Sequence, residues 1–417
     1  MDELKLIYDW NLVDSPSASM SKGVEICDES LRDGIQSPSV ADPNINDKLA
    51  LISLMADIGV TIADIGLPGA GPRAMADVLA IAQFIQKQRL NLMANCAART
   101  VRADIEPIAT IQQKAGIPIT AYCFLGTSPV RQMVENWDLA TLKKTAEDAI
   151  TFAKREGLAV AFVTEDTTRS SRETLEVLFN HAINLGVERL VLCDTVGHAT
   201  PDGVKALAEF TTQLIAASKQ DVKIDWHGHN DRGLAVTNAL FAARYGCHRI
   251  HATALGIGER VGNTALDQLI VNLKLLNAYD HSLEKLNQYV KTAERIFRLT
   301  VPCNYPVFGQ DAFRTATGVH AAAVIKAQQK GDEIIANTIY SGVPAHWFGK
   351  AQIIEVGPMS GASNVKHWLK ENNYEASEHL VKAILDFAKR QPAVLTSDEI
   401  KAFVMKQTGH PADSAAG

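Results

Sequence analysis

The chain has 417 residues, 47% of them hydrophobic, with 41 basic against 47 acidic side chains and a formal charge of -6. That is enough apolar content for a large α/β domain and a smaller appendage, while the acidic balance, with no Lys/Arg run, excludes a nucleic-acid binder. No stretch is apolar for long enough to span a bilayer, residues 1–10 carry acids and no secretory h-region, and the six cysteines are scattered, so a membrane role is excluded and a cytoplasmic location with reduced thiols is expected.

In chain order, short apolar, β-rich runs recur at 24–28, 61–68, 90–96, 117–126, 159–166, 189–195, 223–229 and 249–256. Amphipathic stretches lie between them, among others 47–58, 137–155, 171–185 and 201–217. Eight βα units in about 250 residues predict a (β/α)8 TIM barrel. A doubly wound sheet would carry a Gly-rich phosphate turn after its first strand, and none is present. After about residue 278 the alternation stops. The expected organisation is therefore a catalytic barrel over 1–278 and a mainly helical region over 279–417, partly α+β around 347–369, acting as a lid or dimerisation arm and ending in a frayed tail at 409–417.

The unusual polar residues fall at the C-terminal ends of these strands, where a barrel places its chemistry: Arg32, Asp33, Glu165, Asp166, Asp194, Thr195, His227 and His229. Two histidines at i and i+2 on a strand face the same way. With Asp33 they offer two nitrogens and a carboxylate, a set that holds a divalent ion while leaving positions open for catalysis. Asn263, in the loop after the eighth strand, could add a carbonyl oxygen, and Zn²⁺, Mn²⁺ and Mg²⁺ all suit such a mixture. Arg32 puts a permanent cation beside the ion, where it would steady an alkoxide as it forms. Taken singly, His227 and His229 could be surface residues, Asp33-Gly34 a turn and Glu259-Arg260 a local ion pair. Their joint placement favours the metal reading. Asp194 and Thr195 are equally well explained by loop ordering and helix capping, and Cys27 and Cys193 by packing.

Five motifs in order, L-R-D-G-x-Q (Leu31 to Gln36), E-D-x-x-R (Glu165, Asp166, Arg169), D-T-V-G (Asp194 to Gly197), H-x-H-N-D (His227 to Asp231) and G-I-G-E-R-x-G-N (Gly256 to Asn263), resemble the DRE-TIM metallolyases. The last resembles the Claisen-condensing branch, the 2-isopropylmalate, homocitrate and citramalate synthases. A sixth, Thr317 to His320, resembles that branch's lid segment. The resemblance implies metal ligation by Asp33, His227, His229 and Asn263, with Arg32 as the electrostatic catalyst. It further implies that Glu165 and Glu259 order the catalytic site, that His320 takes part in proton transfer, and that Gln36, Tyr122, Thr195 and Arg169 meet the substrate, Thr195 at its carboxylate. The implied reaction is a metal-dependent condensation of acetyl-CoA with a 2-oxo acid in a homodimer whose lid covers the partner's barrel mouth.

The chain departs from that pattern at several points. Glu29 stands where Thr is usual, Ile35 and Asp64 where Glu is usual, and Tyr122 where several relatives have His. Val163 replaces a Ser frequent in isopropylmalate synthases. Around the lid, Thr315 replaces an earlier His, and Ala321 and Ala322 follow His320 where many relatives have Gln-Asp. Nothing after residue 360 is long enough for a separate amino-acid-sensing domain, so feedback control through one is not expected. A lyase or aldolase on the same metal rim is the alternative, since fold does not fix reaction direction. Leu67, Tyr122 and Val163 as inward positions favour 2-oxoisovalerate, the substrate of the isopropylmalate reaction in leucine biosynthesis. Arg99, Arg131 and Arg169 keep 2-oxoglutarate open, and citramalate synthase chemistry on pyruvate is the third option.

Overall fold

A strand such as 159–165 carries almost no polar alternation because both of its faces are covered: Val160, Ala161 and Phe162 are all buried. That is the mark of a parallel sheet wrapped in helices. In the computed structural model, which describes residues 8–12 and 23–408, eight such strands close on themselves. Residues 1–7 of the acidic N-terminal stretch and the 409–417 tail lie outside the described residues. The strands are β1 (Glu25–Asp28), β2 (Ile62–Asp64), β3 (Met93–Arg99), β4 (Ile119–Gly126), β5 (Ala159–Glu165), β6 (Arg189–Asp194), β7 (Lys223–Gly228) and β8 (Arg249–Ala252). All pair in parallel, and β8 closes the ring on β1 with Glu25 opposite Arg249 and Asp28 opposite Ala252. The fold is the expected TIM barrel with helices between the strands.

Helix starts follow from local capping. Asn44, Asp138, Ser171 and Thr200 accept hydrogen bonds from the N–H groups of Asp47, Thr141, Thr174 and Gly203 at the heads of helices Ile45–Asp57, Leu139–Arg155, Arg172–Asn184 and Pro201–Ser218. Each cap contributes about 1 kcal/mol and fixes where a rim loop turns into a helix. The expected strands overran at some of these loops: 61–68 is a strand only over Ile62–Asp64, and 249–256 only over Arg249–Ala252. Ile65 and Ala254 beyond them are buried, yet the chain turns onto the rim there instead of continuing the ladder.

The chain divides into two units, Asn11–Thr300 and Val301–Gly417 with Met1–Trp10. The barrel unit includes helix Leu286–Phe297, whose Tyr289 hydroxyl donates to Asp28 Oδ2 at 2.5 Å, while Arg295 donates to Asp47 Oδ1 at 2.9 Å. Tyr289 and Phe297 are fully buried, the phenylalanine contributing about 1.5–3 kcal/mol. The C-terminal unit pairs β9 (Arg314–Thr315) with β10 (Ile353–Ile354), packs Ala321 and Val324 of helix Gly318–Gln329 with Ile354, and gathers helices Ala362–Glu371, Glu378–Ala388 and Ser397–Thr408 around Val365, Leu369, Ile384 and Val404. All six cysteines are free thiols, five of them buried. Among the described residues, no helix is long and apolar enough to cross a membrane.

Candidate active site

Past β1 the chain makes a tight turn in which the N–H groups of Arg32 and Gly34 both donate to Glu29 O at 3.0 Å. This brings Arg32 and Asp33 to the rim. β7 ends at Gly228, and His229, one residue on, is held by its N–H on Asp194 O at 3.1 Å and by an antiparallel bridge to Asn263. The Nε2 atoms of His227 and His229 are 3.2 Å apart, and they lie 3.4 and 3.6 Å from Asp33 Oδ2. All three residues are buried. Metal–ligand bonds of about 2.1 Å place neighbouring ligand atoms about 3.0–3.4 Å apart, so this trio has the spacing of a divalent site. Asp33 Oδ1 and Asn263 Oδ1 are also buried without any partner. Orphaned acceptors of this kind carry a desolvation cost that a cation removes. Gly258 makes the room. A Cβ there would meet Asn263 Nδ2 at 2.1 Å and Asp33 Oδ1 at 3.3 Å, and its φ of 153° favours glycine independently. The donor set fits a divalent ion held by Asp33, His227, His229 and Asn263.

Arg32 is fixed on three sides. Its Nε donates to Asp64 Oδ2 at 3.0 Å, Nη1 to Asp33 Oδ2 at 3.2 Å and Nη2 to Glu29 Oε2 at 2.7 Å. Burial pushes the Asp33 carboxyl up, but Arg32 and the two imidazoles outweigh it and hold it below the usual range. Asp64, deeper, is pushed up by burial to about 7 despite Arg32. His229 goes down to about 4 through burial and the neighbouring His227, which keeps a neutral imidazole available as a ligand. Glu29 ties this layer to the one below. Its Oε2 lies 2.8 Å from His227 Nδ1 and its Oε1 2.8 Å from His251 Nδ1. A carboxylate behind a ligating histidine orients the ring. His251 in turn sits 3.2 Å from Asp225 Oδ2; burial lowers its pKa, but the two carboxylates outweigh this and raise it to about 9. Asp225 also accepts from the Tyr122 hydroxyl at 2.8 Å and from Arg189 at 2.5 Å.

Above these groups opens a cavity of about 320 Å³. Its polar wall includes Arg32, Asp33, Gln36, Glu165, Thr195, His227, His229 and Glu259, and its apolar wall Leu67, Ala97, Tyr122, Phe124, Val163 and Val191. Tyr122 faces the cavity with its ring, while its hydroxyl is held by Asp225 and by Arg249 Nη1 at 2.6 Å. Thr195 Oγ1 accepts from Asp166 N at 2.8 Å, and Asp194 orders its loop by accepting from His198 N, Ala199 N and the Thr168 hydroxyl. Arg169 does not line the cavity. It forks onto Asp166 at 2.8 and 2.6 Å. Arg99 forks onto Asp104 in the same way, and Arg131 lies 3.1 Å from Glu135 and 3.7 Å from Glu165. His320 belongs to the C-terminal unit, exposed and tilted against Tyr340 with ring centroids 4.1 Å apart. The Glu29, His251, Asp225 and Arg249 network was not anticipated. Its signal is the period-two row of polar side chains, Asp225 and His227 on β7 continuing to His229 just past its end, and Arg249 and His251 on β8.

A closed parallel barrel whose C-terminal rim gathers two imidazoles, a carboxylate and an arginine over a half-apolar cavity is the framework of a barrel metalloenzyme. The chain belongs to the HMGL-like family, the DRE-TIM metallolyases, which it matches over residues 23–296. Curated relatives come from the Claisen-condensing branch. A putative (R)-citramalate synthase of Methanopyrus kandleri is 29% identical over 94% of this chain and 74% of that one. A probable 2-isopropylmalate synthase of the same organism is 31% identical over 88% and 69%, and a homocitrate synthase of Methanothermobacter thermautotrophicus 29% identical over 94% and 95%. Among solved structures, a Bacillus subtilis HMG-CoA lyase superposes with a TM-score of 0.56 at 20% identity, covering 68% of this chain and 96% of that one, a likeness in fold.

Proposed function

We propose that this protein condenses acetyl-CoA with a 2-oxo acid in a divalent-metal-dependent reaction that releases CoA, with 2-oxoisovalerate as the preferred acceptor. The observation that carries the reading is Arg32, held by three carboxylates beside the Asp33, His227, His229 set. An ion bound by that set and Asn263 would supply Lewis acidity to the keto group. Arg32 contributes a fixed cation where negative charge grows on the keto oxygen, without reorganising to do so. Thr195 stands on the cavity wall as the carboxylate contact. Glu165, its carboxyl raised by burial against the pull of Arg131, faces the same cavity and is suited to move a proton on the acetyl side. The assignment of proton transfer to His320, and of a homodimer that presents it to a partner's barrel, rests on the Thr317–His320 motif.

The acceptor follows from the cavity wall. A second carboxylate, as in 2-oxoglutarate, needs a cation or several donors to be buried. Arg99, Arg131 and Arg169 all pair with carboxylates and stay off the wall, and the charged His251 is clamped between Glu29 and Asp225. What remains is Leu67, Ala97, Phe124, Val163 and Val191, which a branched apolar end fills and the methyl of pyruvate leaves partly empty. Thiol release from acetyl-CoA, measured with 2-oxoisovalerate, 2-oxoglutarate and pyruvate, tests the proposal. The highest kcat/KM is expected for 2-oxoisovalerate. A clear preference for 2-oxoglutarate would refute the acceptor, and no thiol release with any 2-oxo acid would refute the reaction.

A further inference from the structure

Beneath the rim layer, the inward side chains of β1 and β8 bring together a second set of donors. Cys27 and His251 are register partners on these neighbouring parallel strands, and Glu29, two residues on, returns to the Cys27 face. One sulfur, one carboxylate oxygen and one ring nitrogen from these three residues lie within 4.8 Å of one another, all buried, and none belongs to the Asp33, His227, His229 trio. His251 Nδ1 lies 2.8 Å from Glu29 Oε1, yet it has no aligned hydrogen bond among the described residues. A buried nitrogen and a carboxylate oxygen that converge without a hydrogen bond have the arrangement that a shared cation satisfies. Asp225 Oδ2 stands behind the ring, 3.2 Å from Nε2, which leaves Nδ1 as the nitrogen turned to the cluster.

Asn95, on β3, reaches the same spot. Its Oδ1 stands 3.9 Å from Cys27 Sγ, and its Nδ2 is buried without a partner among the described residues. Bonds of about 2.3 Å to sulfur and 2.1 Å to oxygen put two donors of a tetrahedral ion roughly 3.6 Å apart, close to that separation. The charges also balance. Without an ion, the Cys27 thiol proton and the proton that Glu29 and Asp225 hold on His251 fill this place; a divalent ion displaces both, two charges for two, so the net charge of the buried layer is unchanged. Glu29 and His251 line the active-site cavity, which gives an ion its way in.

We propose that Cys27, Glu29, His251 and Asn95 form a second cation site, separate from the rim set, that takes Zn²⁺ and cross-links the seam where β8 closes on β1. A thiolate donor selects Zn²⁺ over Mg²⁺ or Mn²⁺. Four protein donors close the shell, so the site is structural and adds no open position to the cavity wall. The full chain, stripped with a chelator and reloaded with Zn²⁺ or Co²⁺, tests the site. With Co²⁺, wild type should show a near-ultraviolet thiolate-to-metal band, which the sulfur-free rim set cannot give. Cys27→Ser should lose that band and, loaded with Zn²⁺, hold one ion fewer per chain than wild type by elemental analysis. His229→Ala, aimed at the rim, and Cys193→Ser, which removes the cavity-wall cysteine, should both keep the band. No band in wild type, a band that survives in Cys27→Ser, or equal Zn²⁺ content in the two proteins overturns the proposal. Should Cys27→Ser fail to fold, X-ray absorption at the zinc edge of the wild-type protein decides: sulfur in the ligand shell supports the site, and a shell of nitrogen and oxygen alone overturns it. None of these measurements uses turnover, so the site stands or falls independently of the condensation reading.

Discussion

Replacing Arg32 with Lys tests the centre of the mechanism. The guanidinium has five N–H groups; the structure assigns three to Asp64, Asp33 and Glu29 at 3.0, 3.2 and 2.7 Å, which leaves two for the substrate oxygen. An ammonium has three protons on one atom and cannot reach carboxylates on three sides, so in Arg32→Lys the donors meant for the oxygen are lost or one carboxylate goes unpaired. Loss of a preorganised donor of this kind costs about 10²–10³-fold in kcat, roughly 3–4 kcal/mol. KM should change by less than about threefold, since the interaction matters mainly in the transition state. Steady-state thiol release gives both parameters, and a urea unfolding curve separates chemistry from fold, because an unpaired buried carboxylate costs stability by roughly 3 kcal/mol on its own. A variant with near wild-type kcat and a raised KM would make Arg32 a binding residue and refute the reasoning.

Other perturbations probe the neighbouring parts. His229→Ala should lose its divalent ion by elemental analysis while keeping its circular dichroism spectrum; full occupancy would remove it from the ligand set. Gly258→Ala should also lower metal content, because its Cβ would sit 2.1 Å from Asn263 Nδ2 in a backbone conformation that disfavours side chains, and unchanged metal content would count against Asn263 as a ligand. His251, raised from 6.5 to about 9 as Glu29 and Asp225 outweigh burial, gives stability that is complete below pH 6.5 and lost as pH rises through 9; the urea midpoint of wild type should fall across that window and that of His251→Asn should not. Mixing His320→Ala with Asp33→Ala protomers should restore part of the activity if the lid serves a partner's barrel, and verified subunit exchange without recovery would place its action within one chain.

The barrel was legible because the burial that makes a parallel strand also makes an apolar run, as at 159–165 and 223–228, with amphipathic stretches between the runs. The Asp33, His227, His229 cluster was legible for a related reason: period-two geometry already puts the imidazoles side by side, and the barrel rim brings β1 near β7. Strand ends were less so. Ile65 and Leu67 are as apolar as strand residues but belong to a rim turn. The partners of charges could not be read at all. Nothing local says that Arg249 meets Tyr122, or that Tyr289 reaches Asp28, since these pairs span 127 and 261 positions and exist only once the ring has closed. The same holds for Arg99, Arg131 and Arg169, whose carboxylates decide the polarity of the cavity wall.

The closure of β8 on β1 also sets a schedule for the metal centre. Asp33 follows the first strand, and Asn263 lies in the loop after the last, so the ligand set proposed here does not exist until almost the whole ring has left the ribosome. A nascent chain that stops short of Asn263 offers at most part of a chelate, and one that stops short of β7 offers a single carboxylate. Any ion seated here would arrive late and would bridge the two ends of the barrel sequence, drawing the first and last staves together like a hoop on a cask.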